Sequence, residues 1–256
     1  MGGSRKNDCP QSFFLAARRA FTWYTQKDMK RPVRLSASTL SVLLDCPRCF
    51  WLQVNENLRR PQGPFPSLPS GIDAVLKAAM DEHRERGELP PELAGTVRGA
   101  LFPDQRQLNR WRDSLRGDLR YADATLGVEV VGGIDDLLVE NDRLTPLDFK
   151  TRGFPVKEDT HAHYEHQLDL YAWLFTKLKR GVSGRGVLLF FSPVAYEGQG
   201  VVRFRIEPVV VETDLQRAAA LLQRAVKVLR GPVPNRHADC AFCHFATSRV
   251  AHDAGE

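Results

Sequence analysis

Residues 132–151 read GGIDDLLVENDRLTPLDFKT, and this stretch decides the fold that the sequence predicts. Three apolar runs around it have the length and composition of β-strands: 126–131, 134–139 and 144–149. Gly132-Gly133 separates the first two runs, and Asn141-Asp142 is a turn signal between the last two. We therefore predict three consecutive strands that pair as an antiparallel meander.

Two acidic side chains meet if the last two of these strands pair. Asp135 stands at the start of one strand and Asp148 near the end of the next, so antiparallel pairing brings them side by side. Two carboxylates in that position repel, and one must hold a proton unless a cation neutralises the pair. Oxygen ligands of this kind suit Mg²⁺ or Mn²⁺, which also accept phosphate oxygens. The pair therefore indicates a divalent-metal site.

Lys150 lies two residues beyond Asp148, so both side chains project from the same face of the strand. An ammonium group beside a metal-bound water can orient that water for attack, or stabilise the charge that grows on a phosphoryl group. The other interpretation is that Asp135, Asp148 and Lys150 are strand-end charges in a surface network. These residues alone leave both interpretations open.

Two helices supply further candidates. The pattern of residues 164–179 predicts a helix in which Gln167 and Tyr171 lie four residues apart on one face. They would contact a nucleic-acid strand or position Lys150, or they are ordinary boundary residues. His83 lies on the apolar face of an earlier predicted helix, where it is either a buried core histidine or a metal ligand or proton-transfer group.

The cysteines indicate a second site. Four of the five form two C-x-x-C pairs, Cys46 with Cys49 and Cys240 with Cys243, and Cys9 is left over. Each pair can present two thiolates to one centre, so metal binding is favoured over free buried thiols. The spacing fits Zn²⁺ and an iron–sulfur cluster equally. Such a centre would join the N- and C-terminal parts of the chain.

Composition and charge exclude several classes of protein. The chain has 256 residues, 43% of them hydrophobic and 26% charged, which is typical of a globular protein. Charged residues interrupt every apolar run before it reaches the length of a membrane span, so we expect a cytoplasmic protein without membrane contact. The phosphate-binding pattern G-x-x-x-x-G-K-[ST] is absent, which excludes a nucleotide-driven motor. We interpret residues 1–28 as an N-terminal extension and 29–256 as a single domain.

The order of these motifs resembles the RecB-like branch of the PD-(D/E)XK nuclease superfamily, which includes the nuclease domains of RecB and AddB and CRISPR-associated RecB-like exonucleases. The matching segments are residues 35–40, Cys46-Pro47-Arg48, His83, Gly133-Ile134-Asp135, residues 148–151, residues 167–171 and residues 240–243. They extend over nearly the whole chain. The resemblance implies a restriction-endonuclease-like α/β fold, with a mixed β-sheet flanked by helices.

The resemblance also implies roles for the candidate residues. The residues expected to be catalytic are Asp135, Asp148, Lys150, Gln167 and Tyr171. Asp135 and Asp148 would bind Mg²⁺ or Mn²⁺, with His83 as a further ligand, and Lys150 would activate water. Gln167 and Tyr171 match the family's Q-x-x-x-Y motif, which supports DNA handling and the active-site lysine.

Several members of the branch hold a [4Fe-4S] cluster between the two ends of the domain. By resemblance, the residues expected to bind such a cluster, with Zn²⁺ as the alternative, are Cys46, Cys49, Cys240 and Cys243. The usual arrangement is one early cysteine and three late ones, whereas this chain has two of each.

The function expected from the resemblance is a metal-dependent deoxyribonuclease, exonuclease-like, in DNA repair, recombination or CRISPR adaptation. Its partners would be single-stranded DNA or duplex ends, together with helicase or CRISPR adaptation proteins. The alternative is a catalytically silent DNA-binding accessory protein held together by its metal centre.

Overall fold

The computed structural model describes residues 32–63 and 67–254, and the predicted extension at 1–28 lies outside them. The helices and strands are, in chain order, β1 (Val33–Leu35), α1 (Ala37–Asp45), α2 (Pro47–Asn55), α3 (Ser67–Arg86), β2 (Ala100–Leu101), α4 (Gln105–Arg112), β3 (Arg120–Asp123), β4 (Val128–Val131), β5 (Asp136–Glu140), β6 (Arg143–Thr151), α5 (Glu165–Lys177), β7 (Gly181–Val182), β8 (Arg185–Gly198), β9 (Val201–Glu212), α6 (Leu215–Arg230) and α7 (Ala241–Ala254).

The predicted meander is right for its second pair of strands and wrong for its first. β5 and β6 pair antiparallel across Asn141 and Asp142, which both have positive φ as a tight hairpin turn requires. β4 instead belongs to a separate three-stranded sheet of order β1-β4-β3. Gly132 and Gly133 are not among the positive-φ glycines, so they form no two-residue hairpin turn and the chain crosses from one sheet to the other.

The larger sheet, of order β2-β5-β6-β8-β9 with β7 also beside β6, is mixed. β6 and β8 run parallel, and α5 lies between them in the sequence as the crossover helix. The alternation of side chains along β6 directs Leu147 and Phe149 into a core with Met80 of α3. Asp148 and Lys150 project from the opposite face of β6, which is the face toward α5.

The predicted fold class, a mixed β-sheet flanked by helices with cysteines from both ends of the domain, is confirmed. α5 is buried along its middle, because every residue from Leu168 to Phe175 is shielded from solvent. The main core joins this helix to residues of α1, α2, α4 and α6. In the described part of the chain, no helix combines the length and the apolar character that crossing a bilayer would require.

Candidate active site

Asp135 and Asp148 lie at the same end of the paired strands β5 and β6. Asp136 pairs with Leu147 in the strand register, so Asp135, the residue before β5, comes level with Asp148. The Oδ2 atom of Asp135 accepts a hydrogen bond of 2.8 Å from the backbone N–H of Phe149. The structure therefore brings the two predicted aspartates to one place.

Asp148 is buried beside a lysine. Its side chain is 2% exposed, and Lys150 Nζ lies 2.5 Å from its Oδ2 atom. That oxygen accepts no hydrogen bond of ordinary geometry, so its contact with Lys150 is an ion pair. Burial raises the pKa of the Asp148 carboxyl to about 7, an effect that Lys150 opposes and Asp135 reinforces. The carboxyl group is therefore incompletely neutralised by its protein surroundings.

Gln167 of α5 connects the polar groups of this site. Its Oε1 atom accepts a hydrogen bond of 3.0 Å from Lys150 Nζ, and its Nε2 atom donates to Asp148 Oδ1 at 2.7 Å. The same Nε2 donates to the Tyr171 hydroxyl at 2.8 Å, and that hydroxyl donates to the Gly133 carbonyl at 2.7 Å. One amide thus fixes both the carboxyl group of Asp148 and the ammonium group of Lys150. We call Asp148-Phe149-Lys150 the D-x-K triplet.

Two residues of α3 that the sequence analysis did not single out also reach the site. Lys77 Nζ lies 2.9 Å from Asp135 Oδ1 and 2.7 Å from Asp73 Oδ2. Burial lowers the pKa of Lys77, but the two carboxylates outweigh it and raise that pKa, so the ammonium form is favoured. The sequence does show Asp73 and Lys77 as an i,i+4 pair on a helix. Nothing in the sequence shows that the pair faces Asp135.

His83 does not join these carboxylates. Its ring lies 3.2 Å from Arg86 Nη2 and 3.8 Å from a Glu88 carboxylate oxygen, and its side chain is 23% exposed. His83 follows Lys77 by six residues, which on a helix turns it about 120° away from the face that carries Lys77. The structure thus places Lys77, rather than His83, against Asp135.

A buried network of ion pairs holds the start of β5 in place. Arg84 of α3 pairs with Asp136, whose side chain is fully buried, and with Asp81. Arg112 of α4 donates from Nε to the Asp135 carbonyl at 2.8 Å and from Nη2 to Asp136 at 3.2 Å. No pattern in the sequence predicts this network, because arginines spread over two helices give no local signal of a shared partner.

The sequence of residues 34–248 matches the family model of the PD-(D/E)XK nuclease superfamily. This chain belongs to that superfamily. No curated protein matches it at a significant level. PD-(D/E)XK nucleases usually use divalent metals, for which paired carboxylates are suitable ligands.

The second predicted site of this PD-(D/E)XK protein is assembled as four cysteines. Cys46 and Cys49 lie at the start of α2, and Cys240 and Cys243 at the start of α7. Sulfur–sulfur distances are 3.8 Å for Cys46–Cys243 and 3.6 Å for both Cys49–Cys240 and Cys49–Cys243. All four Sγ atoms lie within 4.8 Å of one another. The group can hold a metal ion or cluster.

The protein surroundings favour a thiolate at one member of this group. Burial raises the pKa of Cys46, but hydrogen bonds from the backbone N–H groups of His237 and Cys49 outweigh it and lower the pKa to about 6. Burial raises the pKa of Cys243. Cys9 lies outside the described residues. Within the described residues, the cysteine group is the one cluster of three or more possible ligands from His, Cys, Asp and Glu.

A cavity of about 510 Å³ lies beside Gln167 and Tyr171. Gln167, Tyr171 and Gly133 line one part of it, and Ser36 and His166 line another. The cavity reaches the Gln167 amide that holds Lys150, whereas Asp135, Asp148 and Lys150 are not among its lining residues.

Proposed function

We propose that this PD-(D/E)XK protein is a Mg²⁺- or Mn²⁺-dependent nuclease that hydrolyses phosphodiester bonds in DNA. The observation that carries the proposal is that one amide, from Gln167, holds both Asp148 and Lys150 at the point where Asp135 enters the sheet. A bound divalent cation supplies a Lewis acid for the phosphoryl group and for water.

The residues at this point fit a hard divalent cation. Asp135 and Asp148 offer carboxylate oxygens, the ligands that Mg²⁺ and Mn²⁺ prefer. The buried Oδ2 atom of Asp148 accepts no hydrogen bond, and its carboxyl pKa is raised by burial. A cation would stabilise the ionised form of this carboxyl, which burial disfavours and Lys150 alone only partly supports. Asp135 and Asp148 are therefore the residues that would hold it.

The residues around the two aspartates then have distinct roles. Lys150 orients the attacking water with its Nζ atom, or stabilises negative charge on the phosphoryl oxygens. Gln167 fixes the position of Lys150, and Tyr171 fixes Gln167 by its hydrogen bond to the Gly133 carbonyl. The cavity beside Gln167 and Tyr171 would receive part of a DNA strand.

We further propose the RecB-like branch for this chain, and within it an exonuclease-like activity in DNA repair, recombination or CRISPR adaptation. The order of the motifs supports this, since Asp135, the D-x-K triplet and the Gln167–Tyr171 pair follow one another between the early and late cysteines. Helicase or CRISPR adaptation proteins would be the partners. We also propose a cytoplasmic location.

The test is DNA cleavage by the full chain with Mg²⁺ or Mn²⁺, on single-stranded and duplex DNA labelled at either end. Lys150→Ala should reduce the cleavage rate by about 100-fold or more, the usual cost of losing one group that stabilises transition-state charge. Lys227→Ala, at an exposed position of α6, is the matched control and should cleave normally. Equal cleavage by wild type and Lys150→Ala would contradict the proposal. Salt-sensitive DNA binding without any cleavage would support the accessory-protein alternative.

We propose Zn²⁺ as the occupant of the cysteine group. A single Zn²⁺ with four thiolates at about 2.3 Å requires sulfur–sulfur distances of about 3.8 Å. Three of the six sulfur–sulfur distances, at 3.6 to 3.8 Å, agree with that requirement, and the others lie within 4.8 Å. In a [4Fe-4S] cluster each thiolate binds a different iron atom, which separates the sulfurs by roughly 6 Å. The shorter separations support Zn²⁺ over the cluster that the resemblance implied.

Metal analysis of anaerobically purified protein distinguishes the two occupants. One equivalent of zinc in a colourless protein is expected. Four equivalents of iron with broad visible absorption would overturn the zinc proposal and favour the [4Fe-4S] cluster.

A further inference from the structure

Lys77 occupies the side of Asp135 that a metal ion would need. Asp135 Oδ2 already accepts the Phe149 N–H, so Oδ1 is the oxygen that has no backbone donor and is the more available to a cation. Lys77 Nζ lies 2.9 Å from that Oδ1 atom. An ammonium group therefore stands at the oxygen that a divalent cation would use.

The carboxyl groups around Lys77 also outnumber the ammonium groups that face them, which favours binding of a further cation. Three carboxyl groups, from Asp73, Asp135 and Asp148, face two ammonium groups, from Lys77 and Lys150. The carboxyl groups do not form a compact three-ligand cluster in the described structure, and Lys77 lies between two of them. A divalent cation added while Lys77 stays in place would repel its ammonium group at short range.

The position of Lys77 allows it to leave. Its side chain is 26% exposed and that of Asp73 is 39% exposed, so the ammonium group borders solvent. A lysine stem has several rotatable bonds and readily carries its charge into water. Once Lys77 has moved away, Asp73 and Asp135 each have a carboxylate oxygen that lacks its former partner.

We propose that Lys77 is a tethered counter-ion that a divalent cation displaces from Asp135, and that Asp73 then becomes the third carboxylate of that metal site. Asp73 would take, from the same helix, the part for which the sequence suggested His83. This inference rests on the proposed metal site of the nuclease. It predicts that the chain's own lysine competes with the metal.

The test is Mn²⁺ binding by the full-length protein whose cysteine group already holds its metal. Binding is measured without DNA, by electron paramagnetic resonance of free Mn²⁺ and by calorimetry. Lys77→Met should bind Mn²⁺ several-fold more tightly than wild type, because the competitor is gone. Asp73→Asn should bind about 10-fold or more weakly, the usual loss when a group supporting a metal site is removed. Lys77→Gln repeats the first measurement with a polar side chain, in case Lys77→Met folds poorly.

The matched control is Arg86→Met, which removes another i,i+4 cation of α3, paired with Glu82 at 3.9 Å. It should leave the Mn²⁺ affinity unchanged, and Asp148→Asn should abolish the binding. Unchanged affinity in both Lys77 variants and in Asp73→Asn would overturn the proposal, as would absence of any Asp148-dependent Mn²⁺ binding. A different result would count against the nuclease proposal alone. In that case Mn²⁺ binds with the expected pattern in all variants, but the wild-type protein does not cleave DNA.

Discussion

Gln167 shows how much of this site depends on a residue that carries no charge. Its amide accepts from Lys150 and donates to Asp148 and Tyr171, so it fixes the relative positions of three polar groups. The four-residue spacing of Gln167 and Tyr171 predicted a shared helix face, and the structure shows that this face is turned toward the strand that carries Lys150. A residue that looks like an ordinary boundary position is thereby placed at the centre of the polar network.

Replacing Gln167 with leucine should therefore slow DNA cleavage. Gln167→Leu keeps the volume of the side chain but leaves Asp148 and Lys150 without their common amide, and we expect a rate roughly 10- to 100-fold lower. The measurement is Mn²⁺-dependent cleavage of labelled DNA by folded protein. Gln223→Leu, at an exposed position of α6, serves as the control. A wild-type rate in Gln167→Leu would refute a positioning role.

His166 should make stability depend on pH. Its Nε2 atom lies 2.8 Å from Ser41 Oγ, and burial lowers its pKa below the ordinary value of 6.5. The unfolded chain therefore binds a proton near pH 6.5 that the folded chain resists, so the free energy of unfolding decreases as the pH falls below that value. The same contribution is fully present above pH 6.5, where both states are neutral.

Urea denaturation at pH 5 and pH 8 tests this expectation. His166→Gln should lose less stability between pH 8 and pH 5 than wild type does, because the group that must charge on unfolding is absent. His252→Gln, at a side chain that is 87% exposed, should behave as wild type. An identical pH dependence in His166→Gln and wild type would contradict the argument.

At the scale of elements, α3 and α4 hold the start of β5 through buried charge. The Arg84 side chain is 2% exposed, and its partner Asp136 is fully buried. Taking both groups out of water costs free energy that their mutual attraction must offset, so removing one of them leaves an uncompensated buried charge. The neighbouring Asp135 depends on this anchoring, because its own carbonyl accepts from Arg112.

Arg84→Met should consequently lower the free energy of unfolding by about 3–5 kcal/mol. Arg86→Met, two residues along the same helix and 49% exposed, should change it by no more than about 0.5 kcal/mol. Chemical denaturation of both variants gives the comparison. Similar losses of unfolding free energy in the two variants would show that the buried Arg84–Asp136 pair contributes no more to stability than an exposed arginine does.

The elements predicted around the candidate site are mostly present, and the one wrong pairing has a local cause. β5, β6 and α5 lie where the sequence predicted two strands and a helix. The consecutive glycines Gly132 and Gly133 suggested a hairpin turn between the first two strands. Neither has the positive φ that such a two-residue turn requires.

For the whole molecule, the cysteine group connects segments that are far apart in the sequence. Cys46 of the N-terminal part lies 3.8 Å from Cys243 of the C-terminal part, 197 positions away. A metal bound there favours the folded chain, because the unfolded chain does not present the four thiolates together. With a metal bound, the group would stabilise the folded domain by joining its two ends.

Cys240→Ser should lower the free energy of unfolding by about 4 kcal/mol, the stabilisation that a metal gives at 1,000 times its dissociation constant. Removing the metal with a chelator should have the same effect on wild type. Ser248→Ala, at an exposed position of α7, is the control and should unfold like wild type. If Cys240→Ser is as stable as Ser248→Ala, the cysteine group does not hold the two ends together.

The sequence by itself determined the strands, the helices that follow them and the aspartates that meet across the Asn141–Asp142 turn, because these depend on local periodicity and on a short connection. The four cysteines could likewise be recognised from spacing alone. Only the tertiary structure decided that Lys77 lies against Asp135 while His83 faces away, that Arg84 and Arg112 share Asp136, and that the four sulfurs come within 4.8 Å of one another. Such contacts depend on how separate elements pack against one another, and the angle and depth of that packing leave no pattern in any one segment of the chain.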